Sequence, residues 1–142
     1  MARTPEQLAW DSFKNGSDAA KYDLHRLENG CGNGIPDVIG INYHGASFFL
    51  ELKALKEWPK RATTLPLKNK FEARQIPFAQ RWNLLGGHSF VLLRAIKEFY
   101  LLKPIHATNI KTPNEMTTAE IIDCSLAIGK KEIIKYLEDL KK

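Results

Sequence analysis

Two short stretches of this chain carry residue types that could do chemistry together: Pro36-Asp37 and, after thirteen intervening residues, Glu51-Leu52-Lys53. Ile35 to Asn42 and Ala46 to Ala54 both have a strand's apolar pattern. Tyr43-His44-Gly45 between them reads as a three-residue hairpin loop, with Gly45 in the left-handed position such loops want. In a strand, Glu51 and Lys53 project from one face. The three-residue loop sets Asp37 opposite Glu51, Val38 opposite Leu50 and Ile39 opposite Phe49. A two-residue loop would pair Asp37 with Leu52 and Val38 with Glu51, two poor matches, so the hydrophobic pattern favours the register that gathers two carboxylates and a lysine. Carboxylates side by side repel, and in an interior they need a cation or a shared proton. An all-oxygen set suits Mg²⁺ or Mn²⁺, which keep several waters and take substrate phosphate as a further ligand. The chemistry implied is metal-assisted hydrolysis: the ion lowers the pKa of a bound water and clamps a phosphate, while Lys53 holds the nucleophile or stabilises the transition state.

Taken singly, Pro-Asp and Glu-x-Lys are weak motifs, and an exposed Asp beside a Glu-Lys surface pair would look the same. The charge pattern adds independent weight. The formal net charge is +5 and the pI about 9.2. Between Ala54 and Arg81 stand seven basic residues (Lys56, Lys60, Arg61, Lys68, Lys70, Arg74, Arg81) against two acidic ones, Glu57 and Glu72. That local excess matches the excess of the whole chain, and such a cluster suits a polyanion such as nucleic acid. A solvated loop would carry the same charges. Trp58 and Phe71 in this stretch could stack on bases, or fasten the loop to the core.

The elements that must position these residues are legible in outline. Pro5 to Ala20 reads as an opening helix with a break near Asn15-Gly16, and Tyr22 to Glu28 as a strand. Gly30-Cys31-Gly32-Asn33-Gly34 lacks the signature of a P-loop or dinucleotide site and reads as a turn. Leu55 to Lys70, with Pro59 and Pro66, is a loop. Glu72 to Leu85 is a helix stopped by Gly86-Gly87, with Pro77 confined to its first turn. Ser89 to Ile96 and Glu98 to Lys103 are strands joined by a tight reversal. Thr117-Thr118-Ala119-Glu120 is a capping box opening a helix through about Ile128, and Lys130 to Leu140 is a last amphipathic helix. Strand-strand-strand-helix-strand order implies a mixed sheet with a helical crossover.

Glu28, Gly34-x-Pro36-Asp37, Glu51-Leu52-Lys53-Ala54, Gln75 and Gly86-Gly87, in that order, resemble the virus-type replication-repair (VRR-NUC) branch of the PD-(D/E)xK nucleases, which includes small phage Holliday-junction-resolvase-like enzymes. The resemblance covers about Tyr22 to Arg94. It implies an α/β, restriction-endonuclease-like mixed sheet flanked by helices, and Mg²⁺-dependent hydrolysis of branched or structured DNA, Holliday junctions first. By the same resemblance Asp37, Glu51 and the Leu52 carbonyl are metal ligands, Lys53 is the catalytic lysine and Gln75 an active-site glutamine, with Pro77 a departure beside it. Glu28 is the choice for a third carboxylate, with Glu6 and Asp11 as alternatives. Flap, end or duplex nuclease activity, an RNA-directed nuclease and a non-catalytic DNA-binding module are the competing readings.

At 142 residues the chain fits one nuclease domain, with a core over 22–103 and a helical extension over 117–142. No run approaches the roughly 18 apolar residues of a membrane span and no signal peptide is visible, so the expectation is a cytoplasmic protein, in the host cytoplasm if viral. Cys31 and Cys124 lack zinc-site spacing, as do His25, His44, His88 and His106. Two symmetric incisions in a junction call for a homodimer, for which Leu8, Trp10 and Phe13 of the opening helix, or Ile121, Ile122, Ile133 and Leu137, offer apolar surface.

Overall fold

A computed structural model describes residues 3–17, 19–27, 34–104 and 111–142. The hairpin forms in the register the hydrophobic pattern favours. Strand β2 (Val38–Asn42) pairs antiparallel with β3 (Ser47–Leu55), Val38 opposite Leu50 and Ile39 opposite Phe49. Gly45 closes the loop at φ 82°, a conformation that favours glycine. Strand β1 (Tyr22–Arg26) lies antiparallel on the other side of β2.

From β3 the chain crosses through the basic loop and helix α2 (Gln75–Leu84) to β4 (His88–Ala95), which runs parallel to β3 with Glu51 beside Val91 and Lys53 beside Leu93. β5 (Glu98–Leu102) returns antiparallel to β4. With a short last strand, β6 (Ala127–Ile128), the described residues form one mixed sheet in the order β1-β2-β3-β4-β5-β6.

Strand β6 (Ala127–Ile128) corrects the expectation of a helix running to Ile128. Helix α3 (Thr118–Cys124) opens on the expected Thr117 capping box but stops at Cys124. The backbone then turns to the open edge of β5, where Leu126 donates its N–H to Leu101 and Gly129 to Phe99, each at 2.8 Å. An unpaired sheet edge has a stronger claim on those amides than one more helical turn. Helix α1 (Pro5–Gly16) likewise ends before Ala20: the Ser17 N–H turns to the Lys14 carbonyl, and its hydroxyl donates to the Phe13 carbonyl at 2.8 Å. Helix α2 starts at Gln75 rather than Glu72, which puts Pro77 in its first turn, where a missing N–H costs nothing.

Side chains alternate across the sheet and build a core on each face. Phe48, Leu50, Leu52, Phe90, Leu92, Phe99 and Leu101 pack with Ala9 and Phe13 of α1 and with Ile133 and Leu137 of helix α4 (Lys130–Glu138). On the opposite face Val91, Leu93, Ala95, Tyr100 and Leu102 pack with Leu67, Met116 and Ile121. Phe13, Ile121, Ile133 and Leu137 are therefore fully buried in their own chain and offer nothing to a partner, while Leu8 and Ile122 remain exposed. Trp58 and Phe71 fasten the basic loop to the second core, Trp58 packing edge-on against Tyr100. No helix of the described residues is long and apolar enough to cross a membrane.

Candidate active site

Asp37 stands just before β2, and the Leu27 N–H donates to its carbonyl at 2.7 Å. Its side chain turns to β3, where Oδ2 accepts the Leu52 N–H at 2.9 Å. The amide and carbonyl of one strand residue point to the same neighbour, so the Leu52 carbonyl faces the Asp37 side too. Continuing the register, the residue opposite Leu52 is Pro36, which has no N–H to give it. The Pro-Asp pair thus ends the ladder: proline leaves a strand carbonyl open, and aspartate takes the amide beside it.

Glu51 and Lys53 project from β3 towards α2 and are only 5 % and 7 % exposed. Lys53 Nζ lies 3.5 Å from Glu51 Oε2 and donates to Gln75 Oε1 at 3.1 Å. Gln75 Nε2 donates to the same Glu51 oxygen at 3.0 Å. The amide's orientation follows from its partners: Gln75 Oε1 also accepts the Glu72 N–H at 2.9 Å, and a flipped amide would set its NH₂ against both that N–H and an ammonium. Pro77 does not turn Gln75 away: the helix starts at Gln75 itself, and its side chain reaches Glu51 and Lys53.

Gly34 brings these parts together. It sits at φ 83°, and a Cβ there would strike the backbone carbonyl of Arg74, the N-cap of α2. Only glycine lets the chain leading to Asp37 pass this close to the helix that carries Gln75.

Burial, and next the Asp37 carboxylate, push the Glu51 carboxyl up to about 9, against the opposing pull of Lys53. Glu51 Oε1 is buried and has no hydrogen-bond partner among the described residues. A buried acceptor without a donor beside a second carboxylate is a place for a cation or a proton. Asp37, Glu51 and the Leu52 carbonyl form an all-oxygen set that fits Mg²⁺ or Mn²⁺. Among the described residues no third His, Cys, Asp or Glu side chain joins the pair. Glu28, Cys31 and His106 lie outside the described residues. Glu6 and Asp11 sit on α1, on the opposite face of the sheet from Glu51.

All seven basic residues singled out in the sequence are exposed. Lys56, Lys60, Arg61, Lys68 and Lys70 lie along the loop that leaves β3 two residues after Lys53, and Arg74 caps α2 beside Gly34. Arg81 is separate: it lies near the far end of α2, lining a groove with Leu84, His88 and Tyr136. His25 on β1, His44 in the hairpin loop and His88 on β4 take no part in the site. Phe71, whose ring lies 4.7 Å from Lys53 Nζ, belongs to the site and was not singled out as such.

No protein-family model matches the sequence, and no curated protein does. Solved structures match in fold. Hjc of Archaeoglobus fulgidus, a Holliday junction resolvase from an archaeal hyperthermophile, aligns at a TM-score of 0.53 and 14 % identity over 85 % of this chain and 89 % of that one. A VRR_NUC domain aligns at 0.49 and 20 % identity, over 66 % and 88 %. With its mixed sheet, parallel β3–β4 crossover and helices on both faces, the chain has a restriction-endonuclease-like fold, as Hjc has.

Proposed function

We propose that the protein is a divalent-metal-dependent endonuclease acting on branched or structured DNA, with the Holliday junction as its first candidate substrate. The observation that carries this reading is the constellation of buried Glu51 and Lys53 with half-buried Gln75, joined by hydrogen bonds, and half-buried Asp37 held on the Leu52 amide of the same strand, beside a basic loop. A protein that only binds DNA has no use for two clustered acids that repel phosphate. Asp37, Glu51 and the Leu52 carbonyl would hold Mg²⁺ or Mn²⁺; when bound, such an ion neutralises phosphate charge and supplies an activated water. Lys53 places an ammonium next to that position, where charge develops on the phosphate. Gln75 keeps Lys53 and Glu51 in fixed relation, and the loop lysines and arginines engage flanking phosphates.

Purified protein with Mg²⁺ or Mn²⁺ is expected to cut a labelled four-way DNA junction, and Asp37→Ala, Glu51→Ala and Lys53→Ala each to abolish cutting. Full activity in Asp37→Ala or Glu51→Ala refutes the assignment. Flap, end and linear duplex substrates at the same salt concentration separate a junction enzyme from a more general nuclease, and a matched RNA junction tests the sugar. Binding untouched by EDTA, with no cleavage in any divalent ion, would leave a DNA-binding module. Paired incisions further call for a homodimer. With Phe13, Ile121, Ile133 and Leu137 used internally, the exposed Trp82 (40 %), Leu84 (77 %) and Leu85 (70 %) at the end of α2 are the larger free apolar surface. A solution mass that stays near 16.2 kDa with and without DNA would exclude the dimer.

A further inference from the structure

The basic loop does not end in solvent. Leu67 is fully buried in the second core, and Phe71, immediately after Lys70, packs against the same cluster. From there the Phe71 ring centroid lies 4.7 Å from Lys53 Nζ. The next residue, Glu72, gives its N–H to Gln75 Oε1, the oxygen that accepts from Lys53. The ammonium is thus held by an aromatic ring, an amide oxygen and a Glu51 carboxyl oxygen, and the first two come from the short segment Phe71–Gln75. A ring face attracts a cation through its quadrupole, most effectively where water is excluded, and Lys53 is 7 % exposed.

We propose that Phe71 is a positioning residue for Lys53: its ring face holds the ammonium at the Glu51–Gln75 pair and ties the lysine to the end of the loop that would meet the DNA phosphates. The kinetic consequence rests on the nuclease reading; the positioning itself does not. An apolar side chain of similar bulk would fill the space without offering a π face, so Phe71→Leu and Phe71→Tyr separate the ring from its volume.

The test has two readouts. In protein with ¹³C-labelled lysine, the Lys53 ε-methylene proton signal, assigned by its loss in Lys53→Arg, is expected upfield of the other lysines because of the ring current. It should stay there in Phe71→Tyr and return to the common position in Phe71→Leu. In junction cleavage, Phe71→Leu is expected to lower kcat about tenfold with KM within about twofold, as for a misaimed group rather than a lost binding contact, and Phe71→Tyr to keep kcat within about twofold. An ordinary Lys53 shift in the wild-type protein overturns the proposal whether or not any variant folds. So does wild-type kcat in a folded Phe71→Leu protein. If the shifts behave as stated and the wild-type protein cuts nothing, the positioning of Lys53 stands and the nuclease reading falls.

Discussion

Replacing Glu51 by glutamine tests the site without any DNA. The folded protein holds the Glu51 carboxyl at about 9 against an ordinary 4.5, through burial first and the Asp37 carboxylate second. Between those values the unfolded chain carries Glu51 ionised and the folded chain carries it protonated, so folding takes up a proton. Stability then falls as pH rises, by about 1.4 kcal/mol per pH unit for one full proton. Below the ordinary value both states are protonated and the dependence vanishes; above the raised value both are ionised and the penalty is complete. Over the three units from about pH 5 to about pH 8, the ceiling is roughly 4 kcal/mol.

Glutamine keeps the shape and an acceptor for Gln75 Nε2 but cannot titrate. In urea titrations with EDTA, wild-type protein is therefore expected to lose about 2 to 4 kcal/mol relative to Glu51→Gln across that range. Other shifted acids do not confuse the comparison. Glu120, held down to about 2 chiefly by its hydrogen bond from Lys111, loses its contribution only as pH falls below its ordinary value. Asp23, lowered chiefly by His25, and Glu115, lowered chiefly by the Thr112 N–H, behave the same way. A saturating divalent cation at about pH 8 is expected to restore wild-type stability, by about 2.7 kcal/mol at a hundred times its dissociation constant, and to leave Glu51→Gln nearly unmoved. Parallel stability curves for the two proteins in EDTA would refute the claim that Glu51 takes up a proton on folding.

Three further outcomes follow from the geometry. Gly34→Ala forces a side chain into the Arg74 backbone at a positive φ, and is expected to cost about 2 kcal/mol or more in urea unfolding and to weaken cleavage, since it separates Asp37 from the helix that carries Gln75. Asn42→Ala removes a buried side chain that donates to the Leu137, Glu138 and Leu140 carbonyls and accepts from the His44 and Ala46 amides; a loss of about 3 kcal/mol is expected by the same assay, with the site chemistry intact. Lys68→Ala and Lys70→Ala are each expected to lower the salt-dependence slope of DNA binding by about one while leaving substrate preference alone, measured by fluorescence anisotropy over a salt series.

The parts of the molecule legible in its sequence are those where one physical signal acts locally and without rivals. The hairpin from Val38 to Leu55 has a period of two, and a slip of one residue would turn Val38 and Leu50 out of the core, so setting Val38 opposite Leu50 needed no knowledge of the rest of the chain. The Thr117 capping box is local in the same sense. What the sequence hides depends on a partner far along the chain. Ala127–Ile128 has no strand pattern of its own; it is a strand because the edge of β5 offers it carbonyls. The helical stripe of Ile133 and Leu137 says that something is buried, but which surface buries it is decided by the sheet face built from Phe48, Leu50, Phe90 and Phe99. Phe71 was hidden for a related reason. An aromatic in a basic loop suits a base stack or a core anchor equally well, and only the fold brings its ring up to Lys53. The same dependence explains why the seven basic residues do not act as one group. Those between Lys56 and Arg74 follow a loop fastened to the site at both ends, by β3 and by Phe71, whereas Arg81 lies about ten ångströms along the helix axis from Arg74 at 1.5 Å per residue and lines a different groove.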